Sequence, residues 1–187
     1  MTEPLNAVAI VDVLNRHGVR FIVIGAFAAI AQRAPIPATR EIDLTPDSSV
    51  KNLTRLSTAL KELGARIRTD AVDEELPFDH HGRSLAASSV WNLICPYGEF
   101  DISLAPSGIA GGYEELAVRA HRMRVDAIDV MVADLSDVIR SKEAAGRPKD
   151  LQVLSTLYRF DRQRRESDPP GLMVEESRTF AAHKRRE

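Results

Sequence analysis

Two short segments of this chain alternate acidic and apolar residues, a pattern that strongly limits how they can fold. The first, residues 39–47, has the sequence TREIDLTPD, in which Glu41 and Asp43 alternate with Ile42 and Leu44. Because successive side chains of an extended chain point to opposite faces, the two carboxylates share one face of a strand and the two apolar side chains share the other. The apolar face predicts contact with a core. The acidic face brings like charges together and requires a cation, a basic partner or bulk water.

The second segment, residues 99–104, has the sequence EFDISL and repeats the alternation, with Asp101 on its polar face. If the two strands lie side by side in one sheet, Glu41, Asp43 and Asp101 meet at one point. Three carboxylates around a common centre favour Mg²⁺ or Mn²⁺, which prefer oxygen ligands and share their other positions with phosphate and water. Such a centre is typical of phosphoryl and nucleotidyl transfer. The alternative is that both acidic faces are simply exposed on edge strands.

The rest of the chain alternates between helical and strand-like patterns. Apolar periodicity predicts helices over residues 5–14, 26–32, 48–63, 113–117, 134–145 and 148–165, and strands over 20–24, 88–94 and 123–132. Gly18 is suited to ending the first helix, Asp47 or Ser48 to capping the third, and Asp134 to capping the fifth. This order predicts an α/β (α+β) fold, with a mixed β-sheet, helices packed against it and a helical C-terminal part.

Length and composition predict one domain. The 187 residues, 44% apolar and 28% charged, are enough for one sizeable core, which we place in residues 1–165, with residues 166–187 as a C-terminal tail. The net charge of −2 does not demand a nucleic acid partner. The chain shows no apolar run long enough to cross a bilayer and no secretory signal, and its single cysteine, Cys95, excludes a cysteine-rich zinc site. We therefore expect a cytoplasmic protein without a membrane partner.

Three segments together resemble the nucleotidyltransferase fold of the DNA polymerase β superfamily. They are the strand that leads into Gly25 and the next helix, the segment TREIDL at residues 39–44, and FDI at residues 100–102. In that superfamily a glycine turn at the start of a helix meets the triphosphate. A D-x-D strand and a third carboxylate hold the metal ions. The resemblance spans roughly residues 20–155. Within the domain we predict a core at about residues 20–133 and a helical C-terminal part at about residues 134–165.

A later motif narrows the resemblance. Residues 134–142, DLSDVIRSK, and residues 146–151, GRPKDL, look like the end of AbiEii-type nucleotidyltransferase toxins, including the mycobacterial MenT group. This implies a toxin of a toxin-antitoxin system, an Mg²⁺- or Mn²⁺-dependent enzyme. It would transfer nucleotides, often from CTP or UTP, to the 3′ end of tRNA and so block translation. It also implies a cognate antitoxin as a partner.

The resemblance assigns roles to single residues. Asp43 and Asp101 would be metal ligands, and Glu41 stands where the superfamily usually has the first aspartate. Lys142 would contact the triphosphate, and a mobile ammonium on a helix also suits charge developing on transferred phosphates. Asp150 would complete the catalytic set with Asp43 and Lys142.

The remaining candidates lie near the glycine turn and the acidic strand. Gly25 and Ala26 would bind the nucleotide through backbone amides, although Ala26 replaces the serine or glycine that is common in the superfamily. Arg40 is a candidate for contact with the phosphates. Thr39 is a candidate site of regulatory phosphorylation by a kinase-like antitoxin, because added negative charge there would repel the triphosphate or capture its metal.

Two alternative functions stay open at this point. An enzyme of the same fold could transfer a nucleotide to a protein or a small molecule. A catalytically inactive protein of this fold could instead bind a partner or RNA.

Overall fold

A seven-stranded sheet organises the residues that this computed structural model describes, 4–69 and 77–167. The strands are β1 Phe21–Ile24, β2 Glu41–Pro46, β3 Arg66–Ile67, β4 Val90–Cys95, β5 Gly98–Ser103, β6 His121–Val125 and β7 Ile128–Val132. Their spatial order is β3-β4-β5-β2-β1-β7-β6. The pairs β1–β7 and β2–β5 are parallel, and the other four pairs are antiparallel. The predicted mixed sheet is confirmed.

Helices connect the strands and pack against the sheet. Those in the described residues are α1 Ala7–Arg16, α2 Gly25–Ala31, α3 Val50–Glu62, α4 Gly82–Leu85, α5 Gly112–Ala117, α6 Leu135–Ala145 and α7 Pro148–Ser167. The helices α6 and α7 form the predicted helical C-terminal part. None of the described helices is both long and apolar enough to cross a lipid bilayer. The predicted tail lies outside the described residues from position 168 onward, and its boundary with the domain stays a prediction.

The apolar faces of β2 and β5 are buried, as their alternation predicts. Ile42, Leu44, Phe100 and Ile102 are each at most 2% exposed. The parallel register pairs Ile42 with Phe100 and Asp43 with Asp101. Since neighbouring residues across a sheet share a face, the register that buries the apolar side chains also places the carboxylates together on the opposite face.

Two predicted features near the acidic strands differ in the structure. Ser49 caps α3, rather than Asp47 or Ser48, because its hydroxyl accepts the backbone N–H of Asn52. Asp47 instead accepts the backbone N–H of Ser49. The sequence predicts neither β3 nor α4, because two and four residues are too few to show a periodicity.

The predicted single strand over residues 123–132 is wrong. The structure has the hairpin β6–β7 there, and Asp126 in its turn has a left-handed backbone with φ 51°. Aspartate tolerates this conformation better than most residues, since its short polar side chain can bond locally. The hairpin keeps β7 beside β1, where the two strands pair in parallel at Val23 and Val132.

Arg164 of α7 ties the two C-terminal helices to the body of the protein. Its guanidinium donates to Gln32 at 2.9 Å and to both Asp134 and Asp161 at 3.3 Å. Asp134 caps α6 as predicted, accepting the backbone N–H of Ser136 at 2.9 Å. These bonds hold α6 and α7 against the end of α2, the helix that begins at the glycine turn.

Candidate active site

Glu41, Asp43 and Asp101 converge on the polar face of the sheet. One carboxylate oxygen from each lies within 4.8 Å of the other two, and all three side chains are partly buried. The convergence follows from the β2–β5 register, because Asp43 pairs with Asp101 and Glu41 lies two positions earlier on the same face of β2. We call these three residues the acidic cluster.

Crowding and burial make the acidic cluster electrostatically unfavourable without a cation. Burial first, and then the charges of Glu41 and Asp101, raise the pKa of Asp43 to about 7. Burial and Glu41 also raise the pKa of Asp101. A divalent cation among the three carboxylates would remove this penalty. The donor set consists of carboxylate oxygens within one ion's reach of each other, so it fits Mg²⁺ or Mn²⁺.

Gly25, the first residue of α2, lies directly against Asp43. Its φ is +75°, and a Cβ at this position would lie 2.8 Å from the carboxyl carbon of Asp43. Only glycine satisfies both the left-handed backbone and the close approach. The predicted glycine turn therefore brings the start of α2 to the acidic cluster, and the predicted helix over residues 26–32 begins one residue earlier than expected.

Lys142 is held in place by a buried carboxylate rather than projecting into solvent. Its side chain is 11% exposed, and its ammonium donates to Asp150 at 2.8 Å. The guanidinium of Arg147 donates to the other oxygen of Asp150 at 2.6 Å. Burial acts to raise the pKa of Asp150, but the hydrogen bonds and the charges of these two cations together outweigh it and lower that pKa. Asp150 thus holds Lys142 and Arg147 in position. Because each of its carboxylate oxygens pairs with a cation, Asp150 does not act as a fourth metal-binding carboxylate beside the acidic cluster.

A cavity of 490 Å³ lies between the acidic cluster and the C-terminal helices. Its lining includes the acidic cluster and a basic group formed by Lys142, Arg147 and Lys149. Of the other predicted residues, Gly25, Ala26, Thr39 and Asp150 also line this cavity. Arg40 is exposed and is not among the lining residues. The structure therefore brings all the predicted site residues except Arg40 to one cavity.

Thr39 lies at the start of the acidic strand, where it is partly buried and lines the cavity. Its hydroxyl donates to the backbone carbonyl of Glu41 at 3.1 Å. This hydrogen bond spans two residues and is typical of the turns that threonine forms with its own backbone. The turn ties Thr39 to the backbone of Glu41, a member of the acidic cluster.

Two cations that contact the acidic cluster, Arg68 and Lys149, are not predicted from the sequence. The guanidinium of Arg68 lies 3.3 Å from Glu41 and 3.1 Å from Asp101, and the ammonium of Lys149 donates to Glu41 at 3.0 Å. Lys149 stands in the GRPKD motif, next to Asp150, so its place in that motif was a usable signal. Arg68 follows a strand of two residues and has no local signal of its own.

Several solved structures have a fold similar to that of this chain. A Thermotoga maritima protein described as a nucleotidyltransferase matches with a TM-score of 0.51 and 15% identity, covering 84% of this chain and 91% of that one. The lincosamide antibiotic adenylyltransferase LnuA, crystallised with lincomycin, matches with a TM-score of 0.56 and 11% identity, covering 83% and 98%. The antibiotic-resistance factor ANT(2″)-Ia matches with a TM-score of 0.50 and 13% identity, covering 84% and 90%.

Sequence comparisons add no closer relationship. The chain matches no known protein family and no curated protein. Identities of 11–15% over more than four fifths of the chain show a shared fold and leave the reaction to be argued from the site. The chain therefore has the nucleotidyltransferase fold.

Proposed function

We propose that this protein is a metal-dependent nucleotidyltransferase. The observation that carries the proposal is a single cavity lined both by the acidic cluster and by the basic group of Lys142, Arg147 and Lys149. Carboxylates suit a divalent cation, and ammonium and guanidinium groups suit phosphate oxygens. A nucleoside triphosphate with its bound metal needs both kinds of group in one site.

The proposed reaction joins an acceptor hydroxyl to the α-phosphate of a nucleoside triphosphate. The hydroxyl oxygen forms a bond to the α-phosphorus, the bond to the bridging oxygen breaks, pyrophosphate leaves, and the hydroxyl proton passes to water. Glu41, Asp43 and Asp101 would hold Mg²⁺ or Mn²⁺, which would supply Lewis-acid stabilisation of the transferred phosphate. Lys142 would donate to phosphate oxygens as negative charge develops there, and Asp150 keeps its ammonium oriented.

We propose tRNA as the acceptor and CTP or UTP as the donor. The support is the resemblance of residues 134–151 to AbiEii-type toxins of the MenT group, which modify the 3′ end of tRNA. The basic residues on α7 add physical support, because Arg159, Arg162 and Arg165 are exposed and can contact an RNA backbone. The protein would then be the toxin of a toxin-antitoxin system, act in the cytoplasm and have a cognate antitoxin as its partner.

A small-molecule acceptor is the second candidate. LnuA, which has this fold, is an adenylyltransferase of lincosamide antibiotics and was crystallised with lincomycin. The cavity volume of 490 Å³ lies in the range of sites that enclose small ligands. An acceptor of this kind would need no RNA-binding surface. The two candidates also predict different labelled products, tRNA in the first case and a small molecule in the second.

Labelled-nucleotide transfer distinguishes these functions. The purified protein is incubated with Mg²⁺, total tRNA and each α-labelled nucleoside triphosphate in turn, beside an Asp43→Asn control. We expect label on tRNA from CTP or UTP, and none with the control. Label on an added antibiotic instead of RNA would favour the second candidate. A folded protein that labels no acceptor with any nucleotide would contradict the proposed enzyme.

We also propose that phosphorylation of Thr39 by a kinase-like antitoxin stops transfer. A phosphate adds about −1.5 to −2 charges, and the Thr39 hydroxyl lies beside the acidic cluster, where this charge would repel a triphosphate. We expect Thr39→Asp to lower the transfer rate about tenfold or more, while Thr39→Ser keeps it. Transfer assays and circular dichroism check this, and mass spectrometry after co-expression with the antitoxin tests the modification. A fully active Thr39→Asp variant would exclude this mode of control.

A further inference from the structure

Arg68 lies on the same face of the sheet as the acidic cluster. Its backbone N–H donates to the carbonyl of Asn92 at 2.9 Å, which continues the pairing of β3 with β4. Asn92 pairs with Asp101 of β5, and Asp101 pairs with Asp43 of β2. These four residues therefore form one row across four strands. Because residues in such a row share a face, the Arg68 side chain reaches over Asn92 to the carboxylates.

One guanidinium nitrogen of Arg68 bridges two members of the acidic cluster. Its Nη2 lies 3.1 Å from an oxygen of Asp101 and 3.3 Å from an oxygen of Glu41, and its Nη1 lies 3.5 Å from Glu99. An arginine side chain keeps its charge at every pH at which proteins are studied. A positive charge thus sits among the carboxylates that would bind the metal.

The environment of Arg68 shows that attraction to these carboxylates determines its position. The side chain is 28% exposed, and among residues 4–69 and 77–167 its buried Nε finds no hydrogen-bond partner. Leaving a buried donor unpaired is unfavourable, so the ion pairs at the other end of the guanidinium must offset that cost. Lys149, the other cation in contact with Glu41, is 60% exposed and loses less solvation there.

We infer that Arg68 is a positioning residue that serves as the resident counter-cation of the metal site. It holds Glu41 and Asp101 together before a metal arrives, and a metal that uses these oxygens must take them from the guanidinium. This inference rests on the proposed function, because it assumes that the acidic cluster binds a divalent cation. Its consequence is that Arg68 weakens metal binding in the absence of nucleotide.

The test measures the affinity for Mn²⁺ alone, by electron paramagnetic resonance of free Mn²⁺ during titration of the nucleotide-free protein. We expect Arg68→Gln to bind Mn²⁺ about tenfold more tightly, because the substitution removes one positive charge next to the divalent ion. Arg68→Lys keeps the charge and should stay within about threefold of the unmodified protein.

Arg122→Gln is the matched control. It removes the same charge from β6, at the opposite edge of the sheet, where the Arg122 side chain is 75% exposed and pairs with Asp129 at 2.8 Å. Exposed charges far from a site are largely screened by salt, so Mn²⁺ affinity should not change. Circular dichroism in chelator checks the fold of every variant. If Arg68→Gln unfolds there, added Mn²⁺ should restore its structure.

Two negative results separate this inference from the proposed function. If the unmodified protein binds Mn²⁺ and Arg68→Gln binds it equally well or less tightly, the role of Arg68 is wrong while the metal site stands. If neither protein binds Mn²⁺, the acidic cluster is not a metal site and both proposals fall. An Arg68→Gln protein that stays unfolded with Mn²⁺ also overturns the inference, because the metal should replace the missing cation.

Discussion

Replacing Asp43 by asparagine should abolish nucleotide transfer and at the same time stabilise the metal-free protein. Asparagine has nearly the same shape but neither the negative charge nor the metal affinity of a carboxylate, so we expect the transfer rate to fall at least about 100-fold. Asp43 is crowded by Glu41 and Asp101, and this crowding together with burial raises its pKa to about 7. Removing the charge therefore removes an unfavourable interaction from the folded state.

The pH dependence of stability gives this prediction a second measurement. Because the pKa of Asp43 in the folded protein lies above its ordinary value of 3.8, the folded state binds the proton more tightly than the unfolded chain. In chelator, the stability of the unmodified protein should fall as the pH rises from the ordinary value towards 7, by about 1–4 kcal/mol in total. Asp43→Asn should lack this loss, which thermal melts at several pH values between 3.8 and 7 would show.

A matched control for Asp43 is available on α1. The Asp12 side chain is 51% exposed and pairs with Arg16 one helical turn away, so Asp12→Asn removes the same charge from a surface position. Surface pairs of this kind contribute little to stability, and neither the transfer rate nor the pH dependence should change. Unchanged turnover in Asp43→Asn would remove Asp43 from the active site.

Replacing Lys142 by methionine should cost both activity and stability. The transfer rate should fall about 100-fold or more, because the ammonium would no longer stabilise charge on the phosphates. Its partner Asp150 has a side chain that is 1% exposed, and would keep only Arg147 as a partner. We expect a loss of about 1–3 kcal/mol in the free energy of unfolding, because breaking a buried ion pair leaves a charge poorly compensated. Denaturant unfolding measures this loss.

A double variant separates the two effects of Lys142. Lys142→Met combined with Asp150→Asn removes both charges, and should regain part of the stability without regaining activity, with a coupling of about 0.5–3 kcal/mol. Lys149→Met is the stability control, since Lys149 is 60% exposed and its ion pair with Glu41 should be worth little. A Lys142→Met protein as stable as the unmodified one would mean that the ion pair seen in the structure does not form in solution.

Much of the fold could be predicted from local patterns. The alternation in β2 and β5 predicts both strands and their buried faces, because only one face of such a strand can enter a core. The hairpin β6–β7 escapes this reasoning, since its turn at Asp126 lacks the glycine pairs that mark tight hairpins and its two strands read as one strand-like stretch. The cap of α3 at Ser49 lies among several suitable residues, and the sequence does not select between them.

Which faces of the strands carry charge follows from the local sequence alone. Glu41 and Asp43 had to share one side of a strand with Asp101 on the polar side of another, because side-chain direction along a strand is a local property. The glycine at position 25 is also explained locally, because it joins the end of a buried strand to the start of a helix. Both features depend only on residues that are adjacent in the sequence, so they can be predicted without the tertiary structure.

Which cations face these carboxylates depends on the tertiary fold. Arg68 lies 27 residues from Glu41 along the chain, and Lys149 lies 108 residues from it. The first contact depends on the order β3-β4-β5-β2, which places Arg68 in a row with Asp101, and the second depends on how α7 is held beside the sheet. Strand order and helix placement come from packing the whole core at once, so no local pattern encodes them.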